Sequence, residues 1–269
     1  MKEKKMTVLV TGAASGIGLA AARALIERGH TVFGLDIAPI PKDSGIRPLR
    51  ADVRNEEEIL AAVDALELEG VELDAILAAA GVHTIDSFLE ARAADLRRVL
   101  EINLVGTILV CRFFHRLLRD GGRIILVTSE LATYDPLPFN GLYTVSKNAL
   151  ESYAQALRQE MNLIGQRVIT VRPGAVATRI TEGTAIAASE FANSTSLFLR
   201  GAHRFAGLTE RLQGKPIPPE RLARLLVRTV EAAHPRLSYT CHRHAGLLLL
   251  SALPKRLQCA IVRLLLHRN

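Results

Sequence analysis

A doubly wound α/β fold is predicted for this 269-residue chain: one domain built on a parallel sheet of about seven strands, with helices on both faces. Three observations lead there. Short, almost wholly apolar runs alternate with longer stretches of helical periodicity, the pattern of strands buried on both sides. Hydrophobic residues make up 49% of the chain, enough for a core on each face. No internal repeat or Pro/Gly/Ser-rich linker divides it, so residues 1–269 are expected to form a single domain.

Residues 7–12 (TVLVTG) form the first strand, and 17–29 the first helix, closed by Gly29. The second strand is 31–36 and the third 46–52. A helix then runs from about Asn55, a good N-cap, to Leu68. The fourth strand is 73–81, followed by helices over about 86–101 and 103–119. The fifth strand is 122–129, a long helix spans 142–164, and the sixth strand is 167–174. Residues 179–215 have weak periodicity and are expected to form a mobile insertion with helical pieces. Prolines at 216–219 break it. A helix at 220–234 and a short seventh strand at 237–240 complete the sheet.

The first five residues are polar, and the apolar run behind them, Val8–Val10, is too short for a leader or an anchor. Cys111, Cys241 and Cys259 lie far apart, which suits free thiols in a reducing, cytoplasmic setting and offers no metal site. The net charge of +7 is uneven. Residues 1–199 hold 21 basic and 24 acidic side chains, whereas 200–269 hold 13 and 3. A basic final quarter suits anionic lipid or an acidic partner. Nucleic acid fits poorly: no zinc-finger spacing or aromatic RNA-binding motif is present, and aromatics are only 4% of the chain.

The first strand runs into Thr11-Gly12-Ala13-Ala14-Ser15-Gly16-Ile17-Gly18. Glycines there let the backbone approach a pyrophosphate, and the next helix aims its positive end at it. This context of strand, glycine turn and helix makes the fold Rossmann-type and predicts a dinucleotide. Asp36 ends the second strand, 18 residues beyond Gly18. A carboxylate there accepts ribose hydroxyls and repels a 2′-phosphate, so NAD(H) is expected over NADP(H). Asp52, beside Val53 after the third strand, is placed to bond an adenine amino group.

These residues, with three further motifs, resemble the short-chain dehydrogenase/reductase family. Tyr143-Thr144-Val145-Ser146-Lys147 matches the family's active-site motif, and Leu100-Glu101-Ile102-Asn103 carries its helix asparagine. Pro173-Gly174-Ala175-Val176-Ala177-Thr178 matches the segment that holds the nicotinamide carboxamide. The resemblance covers about residues 5–180 as a cofactor-binding and catalytic core. Residues 181–269 supply a substrate loop and a basic, apolar extension. The family usually has Asn-Asn-Ala-Gly after the fourth strand; here Ala78-Ala79-Ala80-Gly81 keeps close backbone packing at Ala80 and Gly81 but loses both amides.

The resemblance implies hydride exchange between a nicotinamide and an alcohol or ketone, as an NAD(P)-dependent oxidoreductase. Tyr143 and Lys147 share a helix face at i and i+4. The lysine's charge would lower the tyrosine's pKa so that it can act as acid and base. Lys147 would also bond the nicotinamide ribose, and Asn103 would anchor a water in a proton relay. Val176 and Thr178 would hold the carboxamide, Val176 through its backbone and Thr178 through its hydroxyl, and Thr178 is also placed to cap the helix that follows. The family's serine polarises the substrate carbonyl and commonly lies 13 residues before the tyrosine. That position holds Glu130, a poor substitute, and Ser129 lies 14 before. Either an extra residue in the loop at 131–138 brings Ser129 into register, or Glu130 takes its place. Strand alternation should turn Thr128 away.

Leu131, Leu137, Phe139, Phe191, Leu197, Phe198 and Phe205 are expected to line an apolar pocket for a steroid, retinoid or other lipid. From Pro254, leucines and isoleucine at helical spacing share a helix with Arg256, Arg263 and His267. That basic amphipathic helix can cover a pocket, pack on a partner subunit or lie on anionic membrane. A homodimer or homotetramer, paired through 103–119 and 142–164, is implied by the resemblance alone. Two other readings stay open: a nucleotide-binding regulatory protein without chemistry, and a 3-oxoacyl-thioester reductase, against which Asp36 argues.

Overall fold

The computed structural model describes residues 4–212, 216–242 and 244–267. Its strands are β1 (Thr7–Thr11), β2 (Thr31–Asp36), β3 (Arg47–Arg50), β4 (Leu73–Ala78), β5 (Leu118–Val127), β6 (Arg167–Pro173) and β7 (Ser238–Cys241). They form one sheet in the order β3-β2-β1-β4-β5-β6-β7, with every neighbouring pair parallel. The chain moves outward from β1 to β3, then returns to β4 on the other side of β1. That reversal opens a crevice at the carboxyl ends of β1 and β4, where ligands of doubly wound sheets bind.

Each strand divides its side chains between two cores, as a period of two requires. Val8, Val10, Ala75, Leu77 and Ile125 face one side, with α1 (Gly16–Glu27) and α8 (Pro219–Glu231) packed on them. Leu9, Ile76, Ile124 and Leu126 face the other, under α2 (Glu56–Leu68), α4 (Thr107–Phe114) and α5 (Gly141–Leu163). Asn55 caps α2 as its sequence position predicts, its side-chain oxygen accepting the N–H groups of Glu57 and Glu58.

Three stretches differ from expectation. The helix expected from residue 86 is α3, Ala93–Leu100. Residues before it are drawn into turns: the Ser87 hydroxyl accepts the Leu89 N–H, and Asp86 N–H donates to the Phe139 carbonyl. Helices 86–101 and 103–119 are also one continuous run, α3 joined to α4 through a π-helical turn at Glu101–Gly106. The helical run ends at Leu117, and β5 begins at Leu118. In the 179–215 stretch, the described residues form two regular helices, α6 (Arg179–Ser194) and α7 (Leu199–Leu212); residues 213–215 lie outside the described set.

Phe139, Phe191 and Phe205 gather in a third cluster with Ile85, Ala188 and Ala202. The C-terminal segment folds as α9 (Ala245–Ser251) and α10 (Lys255–His267), and Leu266 reaches that third cluster. Leu248, Leu249, Leu257, Leu264 and Leu265 on these two helices are exposed. Among the described residues no helix is long and apolar enough to cross a membrane.

Candidate active site

The glycine turn is shaped by contacts no other residue permits. Gly12 has φ +70°, and a Cβ there would lie 2.9 Å from Ala80 Cα. A Cβ on Gly18 would lie 2.2 Å from the Gly12 carbonyl oxygen. The Thr11 hydroxyl accepts the N–H groups of Ala79 and Ala80, each at 3.1 Å, and so pins the end of β4 to the loop. Ser15 stands at the N-cap of α1 in extended conformation, with no side-chain cap and no acidic residue in the first turn. The first N–H groups of Gly16, Ile17 and Gly18 therefore face the crevice without an internal anion, which fits a dinucleotide pyrophosphate.

Asp36 sits at the tip of β2. One carboxylate oxygen accepts the Ala14 N–H at 2.9 Å and the other the Ala38 N–H at 2.9 Å. The side chain is thus oriented against the glycine turn. Asp52 is gripped by Arg54, whose hydrogen bond holds its carboxyl below the usual range. Val53 is a core residue, and a Cβ on Gly106 would lie 2.7 Å from its Cγ2.

Ser129 follows β5, and its hydroxyl is a neighbour of the Tyr143 phenol, whose pKa it pulls down. It also accepts the Leu131 N–H at 3.2 Å. A short 3₁₀ turn, Glu130–Thr133, follows it, with Ser129 at its N-cap. Glu130 points the other way, its carboxylate accepting the His244 N–H at 2.7 Å. Ser129, and not Glu130, meets the tyrosine. Thr128 turns from the site and donates to Glu151 at 2.6 Å. Lys147 lies one turn along α5 from Tyr143. Its ammonium nitrogen is 5.9 Å from the tyrosine ring centre and donates to the Val127 carbonyl at 3.1 Å. Burial raises the Tyr143 phenol to about 12, even with neighbouring Ser129 lowering it. Burial also lowers Lys147 to about 8.

Asn103 is fully buried within the π-helical turn. Its amide oxygen accepts the Val82 N–H at 2.8 Å, and its amide nitrogen donates to the Val82 carbonyl and the Ser146 hydroxyl. One side chain thus joins the loop after β4 to the residue before Lys147. Gly81 lies between them: a Cβ there would sit 3.2 Å from the Asn103 oxygen and 3.5 Å from the lysine nitrogen.

Beyond Pro173, which ends β6, a Cβ on Gly174 would lie 1.9 Å from the His242 carbonyl oxygen, so glycine is required for β6 and the end of β7 to meet. Val176 bridges Ile217 in the parallel pattern: Ile217 donates to the Ala175 carbonyl at 3.0 Å and accepts the Ala177 N–H at 2.9 Å, so the N–H and carbonyl of Val176 itself point away from that partner. Thr178 occupies the N-cap position of α6 but makes no side-chain cap bond, contrary to the expectation of a cap. Its methyl lies instead against Gly16: a Cβ on Gly16 would be 3.6 Å away. The expected carboxamide segment and the pyrophosphate turn therefore face one another.

His83 was missed by motif reading. Its ring packs edge-on to Tyr143 at 4.5 Å between centres. Its nitrogens contact the Asn140 amide oxygen at 3.0 Å and the Thr184 hydroxyl at 3.3 Å. Burial lowers its pKa to about 4, so it is neutral at pH 7. Its signal was its position, two residues past Gly81. The aromatic residues expected to line a pocket largely fill one another's space: Phe139 meets Phe191 at a tilt and Phe198 and Phe205 edge-on, with ring centres 4.9–5.4 Å apart. Leu197 is exposed.

The sequence pattern of the short chain dehydrogenase family matches residues 6–187. A 3-ketodihydrosphingosine reductase of Bacteroides thetaiotaomicron is 26% identical over 230 residues, covering 85% of this chain and 84% of that protein. An NADPH-dependent 1-acyldihydroxyacetone phosphate reductase of Saccharomyces cerevisiae is 28% identical, covering 85% and 79%. A dehydrogenase/reductase structure from Sinorhizobium meliloti superposes with a TM-score of 0.71 at 26% identity, covering 89% and 94%. A short chain dehydrogenase of Burkholderia cenocepacia, solved with NADP, gives 0.71 at 23% identity, covering 98% and 99%. The family pattern spans most of the chain, and this chain is an NAD(P)-dependent oxidoreductase of the short-chain dehydrogenase family.

Proposed function

We propose that the protein interconverts a secondary alcohol and a ketone on a lipophilic substrate, with NAD(H) preferred over NADP(H). The observation that carries this reading is the buried Tyr143 beside Ser129, with Lys147 one turn away on the same helix, its ammonium nitrogen 5.9 Å from the tyrosine ring centre. When bound, the nicotinamide supplies or accepts the hydride. Tyr143 gives a proton to the substrate oxygen during reduction and takes it back during oxidation. Ser129 donates a hydrogen bond to the same oxygen and stabilises its developing negative charge. Lys147 favours the phenolate by its charge and is positioned for a ribose hydroxyl, with Asn103 holding the loop and helix around it. The first turn of α1, with Gly12, Ser15, Gly16, Ile17 and Gly18, receives the pyrophosphate. Asp36 receives the adenosine ribose, Asp52 and the Val53 backbone flank the adenine, and Ala80 and Gly81 border the cofactor. Pro173, Gly174, Val176 and Thr178 border the nicotinamide.

The preference for NAD(H) rests on the Asp36 carboxylate, which disfavours a 2′-phosphate. A lipid substrate is supported by two relatives named for lipid ketones and by the apolar surfaces around residues 135–141. We also assign the exposed leucines of α9 and α10, with Lys255, Arg256 and Arg263, to peripheral contact with anionic membrane in the cytoplasm. A homodimer or homotetramer is the expected assembly. Loss of reduced-cofactor fluorescence with a panel of steroids, retinal and long-chain ketones tests the function. If Tyr143→Phe keeps full turnover on whichever substrate reacts, the reading is wrong.

A further inference from the structure

Tyr143 is braced on both sides along its own helix. Three residues before it, the Asn140 side chain meets the His83 ring at 3.0 Å; three residues after it, the Ser146 hydroxyl meets Asn103 at 3.0 Å. Both braces run to the loop after β4, because Asn103 also grips the N–H and the carbonyl of Val82. His83, the next residue, therefore stands on a fixed base. Asn140 occupies the N-cap of α5, where an asparagine ordinarily turns its oxygen to the first N–H groups of its helix. Here it makes no such bond, and the oxygen faces His83 instead. An amide oxygen only accepts, so Nε2 of His83 carries the proton. Nδ1 of the neutral ring is then an acceptor, and the Thr184 hydroxyl on α6 lies 3.3 Å from it, placed to donate. Between these two bonds the ring packs edge-on to Tyr143, with centres 4.5 Å apart. Burial lowers its pKa to about 4, so neither bond is lost to protonation at pH 7.

We infer that His83 is a positioning residue: through the hydrogen-bond chain Thr184–His83–Asn140 it fixes the Tyr143 ring for proton transfer and ties α6 to the start of α5. The inference rests on the proposed exchange between alcohol and ketone. Misplacing a reacting group by about 1 Å costs on the order of a hundredfold in rate, so a loosened ring should appear in kcat rather than in cofactor binding. The tautomer is read on the full chain labelled with nitrogen-15, with the His83 signal assigned by its loss in His83→Gln. Proton–nitrogen correlation should show His83 protonated at Nε2 alone from pH 7 down to pH 5. Asn140→Ala should raise the share protonated at Nδ1 at least fivefold. Turnover is read with NADH and the fastest member of the steroid, retinal and long-chain ketone panel. His83→Leu fills the space without hydrogen bonds and should cut kcat at least tenfold, with the KM for NADH within twofold. His83→Gln keeps a donor for Asn140 and should bring kcat to within threefold of the parent. Adding Asn140→Ala to His83→Leu should cost nothing more, because both break one link. A ring protonated at Nδ1, or His83→Leu as active as His83→Gln, overturns the inference. If no member of the panel reacts with the parent while the Nε2 tautomer holds, the alcohol–ketone reading falls and the bridge across Tyr143 stands.

Discussion

Glu130 accepts the backbone N–H of His244 at 2.7 Å, so the residue after Ser129 is tied to the start of the C-terminal helices. Desolvation raises the pKa of this carboxyl above its ordinary value. A raised acid binds more protons folded than unfolded, so its contribution to stability falls as pH rises from its unfolded value through the folded one. Glu130→Gln should therefore match or exceed the parent's thermal midpoint at pH 8 and lose that part of the pH dependence. Glu130→Ala leaves the His244 N–H unpaired and should cost about 1–3 kcal/mol. Midpoints measured between pH 4 and 8 decide it; a steeper decline for Glu130→Gln than for the parent contradicts it.

Lys147 gives the opposite slope. Burial lowers it to about 8, so between there and its unfolded value the unfolded chain binds more protons. Its contribution to stability should rise from pH 8 to 10.5. Lys147→Met should remove that rise, read as the difference between the two midpoint-versus-pH curves. Parallel curves would place the lysine elsewhere.

Tyr143→Phe should keep the fold and cofactor affinity while cutting kcat by roughly 10²–10⁴-fold, the usual worth of a positioned acid/base. Calorimetric titration with NADH, beside turnover, separates the two. Ser129→Ala should weaken turnover in the same direction, while Thr128→Ala should act on stability through Glu151 and leave the chemistry intact.

Asp36→Ala should narrow the preference for NADH over NADPH at least tenfold, about 1.4 kcal/mol in relative affinity. Fluorescence titration with both cofactors reads the ratio directly. An unchanged ratio would mean that the carboxylate serves only the N–H groups of Ala14 and Ala38.

Contact with anionic membrane should appear as co-sedimentation with phosphatidylserine-containing vesicles that weakens with salt. The double variant Leu249→Asp, Leu264→Asp should abolish it without changing the thermal midpoint much, since both side chains are exposed. Binding that survives both aspartates would reassign these leucines to another partner.

The parallel sheet and the glycine turn were legible because they follow from local rules: apolar runs, the period of two, and glycines where a Cβ would collide. Tyr143, Lys147 and Asn103 were legible as motifs. Ser129 was legible only as an alternative to Glu130, because which of the two faces the tyrosine depends on the path of the turn at Glu130–Thr133. His83 was invisible because its importance lies in three partners distant along the chain: Tyr143, Asn140 and Thr184. The aromatic residues suggested an open pocket, since composition does not say whether rings face a void or each other.

The wide turn at Glu101–Gly106 gives the helical run a built-in phase shift. Side chains before and after it obey two separate helical wheels, and Asn103 sits at the seam. Deleting the exposed Val105 would merge the two wheels and rotate one half against the other by about 100°. A single missing codon there would swing the asparagine away from Val82 while leaving the sequence of every motif intact.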